Sequence, residues 1–417
     1  MRLLFFLLLI SAQSFGQTDK YTLLKPARVF DGVEMHDNWI VLVKNDTIVA
    51  AGPQQFKLPA GTTIIELPGK TLMPGLIEGH SHLLLHPYNE TKWEDQVLKE
   101  SRAERMLRAG NHAKATVLAG FTMVRDLGTE GAEYDDVGLK KAIEKGLIIG
   151  PRMQVVTKAI VARGTYAPRP ASSDIDFHQG AAEVGNVGEM QSEVRLQISK
   201  GADLIKLYAD YRWGKSHEAM PTFTVEEMKA AVEIAQSGGR QVVAHATSVE
   251  GMKRAIAAGV YTIEHGDQGT LEVFKLMKEK GIAYCPTLAA SDAYEQYGGW
   301  NKASGITPAS IQQKKKSFQA ALAAGVTIVM GGDVGVFTHG DNAREMIMMV
   351  EYGMTPIDVL KSATSVNATV FGVADKMGFI KPGLLADLIA VDGDPSKNIG
   401  AVKAVGFVML GGKVIKN

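Results

Sequence analysis

Eight short apolar runs, spread through the middle of the chain and separated by helix-period segments, constrain the fold more than any other feature. They cover residues 76–77, 121–124, 153–156, 204–207, 242–244, 262–264, 282–285 and 327–330. Runs of this length read as buried strands. Between them, "SRAERMLRAGNHAKATVLAG", "VEEMKAAVEIAQSGG" and "VEGMKRAIAAG" place apolar residues on one helical face and close near Gly, a residue suited to ending a helix. Eight strands alternating with helices predict an α/β fold, a closed (β/α)8 TIM barrel. A doubly wound open sheet is the rival. It rarely needs eight such regular units, and no Gly-x-Gly-x-x-Gly follows the first strand.

The two chain ends differ from the middle and resemble each other. "NWIVLVKNDTIVAAG" holds two strands around a turn at Lys44, Asn45 and Asp46, and "ADLIAVDGD" and "KAVGFVMLGGKVIKN" are strand runs with Gly turns. Residues 17–70 and 376–417 are therefore predicted to build one small β-sandwich, with the barrel, 71–375, inserted between them. The total of 417 residues suits a barrel with such an appendage. Between barrel strands three and four, residues 157–185 show little periodicity, the mark of a long functional loop.

The first 16 residues, one basic residue and then an apolar run ending in small residues, read as a secretory signal peptide cleaved before Gln17. The run is too short to span a bilayer. The expected location is exported, periplasmic or secreted, with no membrane attachment after cleavage. Lys+Arg and Asp+Glu both number 45, so no global field favours nucleic acid or an anionic surface. Cys285 is the only cysteine, which rules out an internal disulfide, and its apolar setting reads as a buried structural thiol. Lys314, Lys315 and Lys316 read as a solvated helix face. The apolar segment 346–350 offers a face for a homo-oligomer, with burial against the barrel the preferred reading.

In a barrel of this kind chemistry collects at the C-terminal ends of the strands. Strand one ends in His80 and His82, two apart and so on one face of an extended chain. Strand five ends at His245, strand six at His265, and Asp333 follows strand eight. Any one of these histidines would more often be a satisfied core or surface residue. Together, imidazoles and a carboxylate at successive strand ends suit zinc and similar divalent ions. Strand four contains the anomaly, Lys206 among Leu204, Ile205 and Leu207. A buried ammonium is costly. It snorkels, pairs with Asp203 or Asp210, or adds carbon dioxide to become a carbamate that bridges two metal ions; the histidines favour the last.

These residues resemble the amidohydrolase superfamily, in particular its imidazolonepropionase-like group that includes Xaa-Pro dipeptidases (prolidases). "LMPGLIEGHSHL" looks like the first-strand signature. "AGFTMVRDLG", "GADLIK", "VVAHATS", "TIEHGD" and "THGDNAREM" look like later blocks, and "GFIKPGLLADLIAVDGDP" is similar to the return to the β-domain. The resemblance implies that His80, His82 and Asp333 hold the more buried of two divalent ions, with zinc expected, that His245 and His265 hold the second, and that carboxylated Lys206 bridges them. Glu78 stands where the family often has Asp, and Gly332 where it has Ser or Thr. "GTYAPRP" replaces a Gly-Gly-His that many relatives carry after strand three.

The expected reaction is metal-assisted hydrolysis of an amide C–N bond in a small molecule, with Asp333 as base and then acid. A dipeptide of Xaa-Pro type is the leading substrate. Its carboxylate needs a partner, and the candidates are Tyr208 and His339 first, then Tyr211, Arg212, Lys215 and His178, with Tyr166 and Arg169 behind them. Arg125 and Asp126 are expected to pair and brace the site. Cyclic amides, N-acyl amino acids and esters stay open. A one-metal deaminase is disfavoured because Ser248 stands where such enzymes place a catalytic Glu. An inactive scaffold should have lost some of the six residues, and all six are present.

Overall fold

The computed structural model describes residues 19–53, 57–166, 168 and 174–417. The predicted signal segment and Arg169 lie outside them. Barrel strand one, Leu76–Ser81, pairs in parallel with Phe121–Asp126, which pairs with Arg152–Val155. Ile160–Ala162 pairs with Ile205–Tyr208, followed in parallel by Val242–Ala246, Thr262–His265 and Ala283–Cys285. The two sets meet where Asp203 N donates to Val155 O at 2.8 Å. These strands are almost wholly buried, because helices cover their outer faces and side chains fill the barrel.

The eighth run closes the barrel, but not as a continuous strand. Ile328 bridges Tyr284 in parallel, and further on Val334 bridges Ser81. Between them the chain bends at Asp333, whose φ is 62°. Gly331 allows the close approach: a Cβ there would fall 2.5 Å from Cys285 Sγ and 2.8 Å from His80 N. The long loop after strand three also has more order than its sequence suggests, because Ile160–Ala162 and Ala182–Val184 pair in parallel near its two ends.

The helices begin where side chains cap them. Ser101 accepts from Glu104 N ahead of Arg102–Leu118, Thr224 and Glu227 form a reciprocal capping box before Val225–Ser237, and Ser248 accepts from Gly251 N before Val249–Ala258. Gly259 ends the last of these at φ 85°. Segment 346–350 lies in the helix Ala343–Glu351, and Met346, Met348 and Met349 are buried in the main core.

Strands from both chain ends share one eight-stranded sheet. Thr63–Pro74 is its centre, pairing in parallel with Tyr21–Phe30 and antiparallel with Leu388–Asp392. The predicted turn at Asn45 joins Trp39–Lys44 to Thr47–Pro53, with Asn45 at φ 55°. The sheet curls back on itself, since Thr47 bridges Leu385 in the segment leading to Leu388–Asp392. Leu24, Val41, Val43, Leu388, Phe407 and Met409 fill the interior. The fold is thus a TIM barrel with a β-sandwich domain made from both ends.

Candidate metal centre

Four imidazoles, one carboxylate and one amine converge at the C-terminal mouth of the barrel. The His80 ring centre lies 5.3 Å from that of His82 and 5.1 Å from that of His265, which is 4.4 Å from that of His245. Asp333 Oδ1 sits 3.2 Å from His82 Nε2 and 3.6 Å from His80 Nε2, without hydrogen-bond geometry to either. Lys206 Nζ enters the same space, feeling the charges of Glu264 and Asp333. Two of these residues hold left-handed backbones, His265 at φ 74° and Asp333 at φ 62°. Such conformations are costly in non-glycine residues and persist where the surroundings enforce them.

Neighbours fix which imidazole nitrogen is free. His80 Nδ1 is 2.9 Å from Glu264 Oε2, and His82 Nδ1 is 2.8 Å from Gly128 O. In both, the Nδ1–H donates and Nε2 turns toward Asp333. His265 Nδ1 lies 2.8 Å from Thr287 Oγ1. Outer partners of this type orient metal-ligating histidines.

Lys206 is 1% exposed and its Nζ has no hydrogen-bond partner. Neither acid proposed as its partner is available. Asp203 is paired with Lys140 at 2.8 Å, and Asp210 accepts from Thr247 N and Ser248 N. Burial pushes the Lys206 amine below its usual value. Burial likewise lowers His80 to about 4 and takes His245 and His265 well below the usual imidazole range. Burial opposes protonation of His82 too, but Asp333 beside it outweighs that and raises it to about 9. For Asp333, burial works against ionisation and His80 and His82 reverse it, so the carboxyl falls well below the usual range.

The donor set suits divalent metal. His80, His265 and Asp333 each offer a ligand atom within 4.8 Å of the others. Asp333 Oδ1, buried and without a hydrogen bond, is an atom such ions would satisfy, and Lys206 Nζ is a buried amine beside it that also lacks a partner.

The predicted substrate contacts divide. Tyr208 stacks on His245, with ring centres 4.5 Å apart and planes 9° apart, and Tyr211 lies 6.1 Å from the same imidazole. Arg212 holds its guanidinium 5.6 Å from the Tyr294 ring centre. His178 and His339 are engaged elsewhere: His178 Nε2 is 2.6 Å from Gly131 O, while His339 stacks on His112 and reaches Leu85 O at 2.9 Å.

Several residues at the site escaped the sequence reading. Arg125 does not pair with Asp126. Its Nη2 meets Glu264 Oε1 at 3.2 Å and its Nε donates to Gly79 O, while Asp126 accepts from Leu83 N. Burial would raise the Glu264 carboxyl, but Arg125 and His80 hold it far below the usual range. Lys314 is buried, not solvated, and its Nζ donates to His265 O at 2.8 Å and to Asp267. Glu264 and Arg125 carried the same signal as Lys206, a charge inside an apolar strand.

A parallel barrel with imidazoles, a lysine and an aspartate at its C-terminal mouth defines a class of hydrolytic barrel sites. Comparison with known proteins gives the particular family. The model of the Amidohydrolase family matches residues 71–415. Ochratoxinase from Aspergillus niger is 32% identical over 378 residues, covering 83% of this chain and 75% of its own. The solved structure of a Xaa-Pro dipeptidase with methionine bound in its active site superposes with a TM-score of 0.85 at 31% identity, covering 95% of this chain and all (100%) of that one. A prolidase complexed with N-methylphosphonate-L-proline superposes with a TM-score of 0.82 at 28% identity, covering 95% and 100%. The chain belongs to the amidohydrolase family, and is a hydrolase acting on amides. No helix among the described residues is long and apolar enough to cross a membrane.

Proposed function

We propose that this chain is a two-metal hydrolase of amide bonds in small molecules, and that its substrates are dipeptides of Xaa-Pro type. The observation that carries the reading is Lys206, buried, without a hydrogen-bond partner, and set among four histidines and Asp333. Burial shifts the Lys206 amine toward its neutral form, the form that adds carbon dioxide. Its nitrogen lone pair forms the new N–C bond and a proton leaves, giving a carbamate anion.

In this reading His80, His82 and Asp333 would hold one divalent ion and His245 and His265 the other, with carboxylated Lys206 as a shared anionic ligand; zinc would be the first choice for this donor set. The ions supply an acidified water and a Lewis acid for the substrate carbonyl. Asp333 takes the proton from the attacking water and returns it to the leaving nitrogen. Glu264 and Gly128 O hold the His80 and His82 rings in one tautomer throughout. Tyr208 and Tyr211 wall the substrate space, and Arg212 offers a cation for a carboxylate at its rim. The similarity to the Xaa-Pro dipeptidase and the prolidase supports the choice of dipeptide.

The test is hydrolysis of a dipeptide library, Xaa-Pro members included, by protein purified with zinc and bicarbonate. Release of proline, lost in Lys206→Ala, is expected. A protein holding two metals that cleaves no dipeptide would overturn the substrate, and cyclic amides, N-acyl amino acids and esters would be assayed next. We also propose export of the protein after cleavage of residues 1–16. Sequencing of the cell-expressed mature chain is expected to begin at Gln17.

A further inference from the structure

One carboxylate beside the centre has no part in the reading above. Glu130 follows barrel strand two and is 2% exposed. Its Oε2 accepts from Tyr166 Oη at 2.5 Å and from Trp93 Nε1 at 2.9 Å. Its Oε1 is buried and has no hydrogen-bond partner. A buried carboxylate oxygen left bare costs free energy unless something satisfies it. That oxygen lies beside Gly128, on the side where His82 enters the site. The position a Cβ on Gly128 would take lies 3.2 Å from Glu130 Oε1 and 3.6 Å from His82 Cε1, so the oxygen and the imidazole border one small space.

The surroundings are aromatic. Tyr166 lies 5.0 Å from Trp93, 4.9 Å from Tyr208 and 4.8 Å from Tyr211, centre to centre. Tyr208 then stacks on His245. Rings grouped about a carboxylate make a receptor for a cation, which gains from the ring faces and from the charge together. No lysine or arginine hydrogen-bonds to the Glu130 carboxylate among the described residues; Arg105 Nη1 donates to its backbone oxygen, at 2.7 Å.

We infer that Glu130 and the rings of Trp93, Tyr166 and Tyr208 form a subsite for a substrate ammonium group, which makes Glu130 a specificity-determining residue for substrates with a free amine. The inference rests on the dipeptide reading and narrows it. With Glu130 at one side of the centre and Arg212 at the rim, the site suits a zwitterion with its scissile amide between the two charges. An N-acylated amino acid lacks the ammonium and leaves Glu130 Oε1 bare.

Two measurements test this. In the first, kcat/KM is compared for an Xaa-Pro dipeptide and its N-acetyl derivative, which share the scissile bond. Wild-type enzyme is expected to favour the free amine by about 100-fold or more. Glu130→Gln keeps an oxygen for Tyr166 and Trp93 but removes the charge, and should reduce the free-amine substrate alone, collapsing the preference toward unity. Equal use of both substrates by wild type, or an equal fall for both in the variant, overturns the inference. In the second, binding of 3-methylbutylammonium and of 3-methylbutanol to the metal-loaded enzyme is titrated calorimetrically. Neither probe has an amide, so the result stands whatever the substrate. The cation should bind about 10-fold tighter than the alcohol, and Glu130→Gln should erase the difference. No difference in wild type overturns the subsite. A Glu130-dependent difference without cleavage of any dipeptide keeps the subsite and discards the dipeptidase reading. If Glu130→Gln does not fold, Tyr166→Phe keeps the ring and frees the carboxylate, and should cut both discriminations by about 3- to 10-fold. Unchanged discrimination there also counts against the inference.

Discussion

Glu264 Oε2 lies 2.9 Å from Nδ1 of His80, at the floor of the barrel mouth where neither residue is exposed to solvent. The next residue along, His265, belongs to the candidate ligand set, so one strand end supplies both a ligand and the group that orients another. Arg125 holds the far oxygen of the same carboxylate at 3.2 Å.

This chain of contacts predicts a double effect for Glu264→Gln. The amide is a weaker acceptor for His80, so metal affinity should fall by about 10- to 100-fold, measured by competition with a chelator. Arg125 loses its charge partner while fully buried, so the fold should lose about 3–5 kcal/mol, read from denaturant unfolding of the metal-free protein. A variant with wild-type metal affinity would show that Glu264 serves only Arg125.

Lys206→Met should separate function from stability. It replaces an amine without hydrogen-bond partners by an apolar chain of similar length in a buried strand. The metal-free variant should be at least as stable as the wild type, by about 1–3 kcal/mol, while binding of the metal pair and activity disappear. Loss of stability on this substitution would show that the amine has a structural partner.

Asp333→Asn tests proton transfer. The amide keeps the shape of the side chain and an oxygen toward the metal space but cannot accept a proton. The rate kcat should fall by about 10²- to 10⁴-fold while the free-amine dipeptide still binds. A kcat within a few-fold of wild type, in protein of normal metal content, would give the proton-transfer role to another group.

The barrel was legible because its signals are local and repeated: strand-length apolar runs, capped helices and histidines at strand ends. Strand eight was legible only as a place. Its backbone partners, Tyr284 on one side and Ser81 on the other, are far away in sequence, and they hold a segment that forms no regular ladder. Lys206 stands out in the sequence because three aliphatic residues surround it, whereas Glu264, beside His265, is masked by its neighbour. Glu130 had no local signal at all. It is one acid among Glu133, Asp135 and Asp136 in the same stretch, and only packing against Trp93 and Tyr166 sets it apart. His339 shares a loop with Asp333, and only the fold shows that its ring stacks on His112 and meets Leu85 O.

Glu345 gives the protein a pH dependence separate from the metal centre. Its carboxylate, on the helix Ala343–Glu351, accepts from the backbone N–H groups of Leu288 and Ala289 at 3.0 and 2.7 Å, and so ties that helix to the first turn of Leu288–Tyr297. Burial pushes its carboxyl up from 4.5 to about 8, more than the two N–H groups pull it down. Between those values the unfolded chain has released the proton and the folded chain retains it. Stability from this group is therefore complete below about pH 4.5 and drains away as pH rises toward 8. The slope is at most about 1.4 kcal/mol per pH unit. Glu345→Gln cannot titrate. It should lower stability overall by about 1–3 kcal/mol, because its NH2 faces a backbone donor, yet flatten the fall between pH 5 and 8. Denaturant melts of metal-free wild type and variant across that range decide the matter, since parallel curves would mean that Glu345 is ionised in the fold throughout.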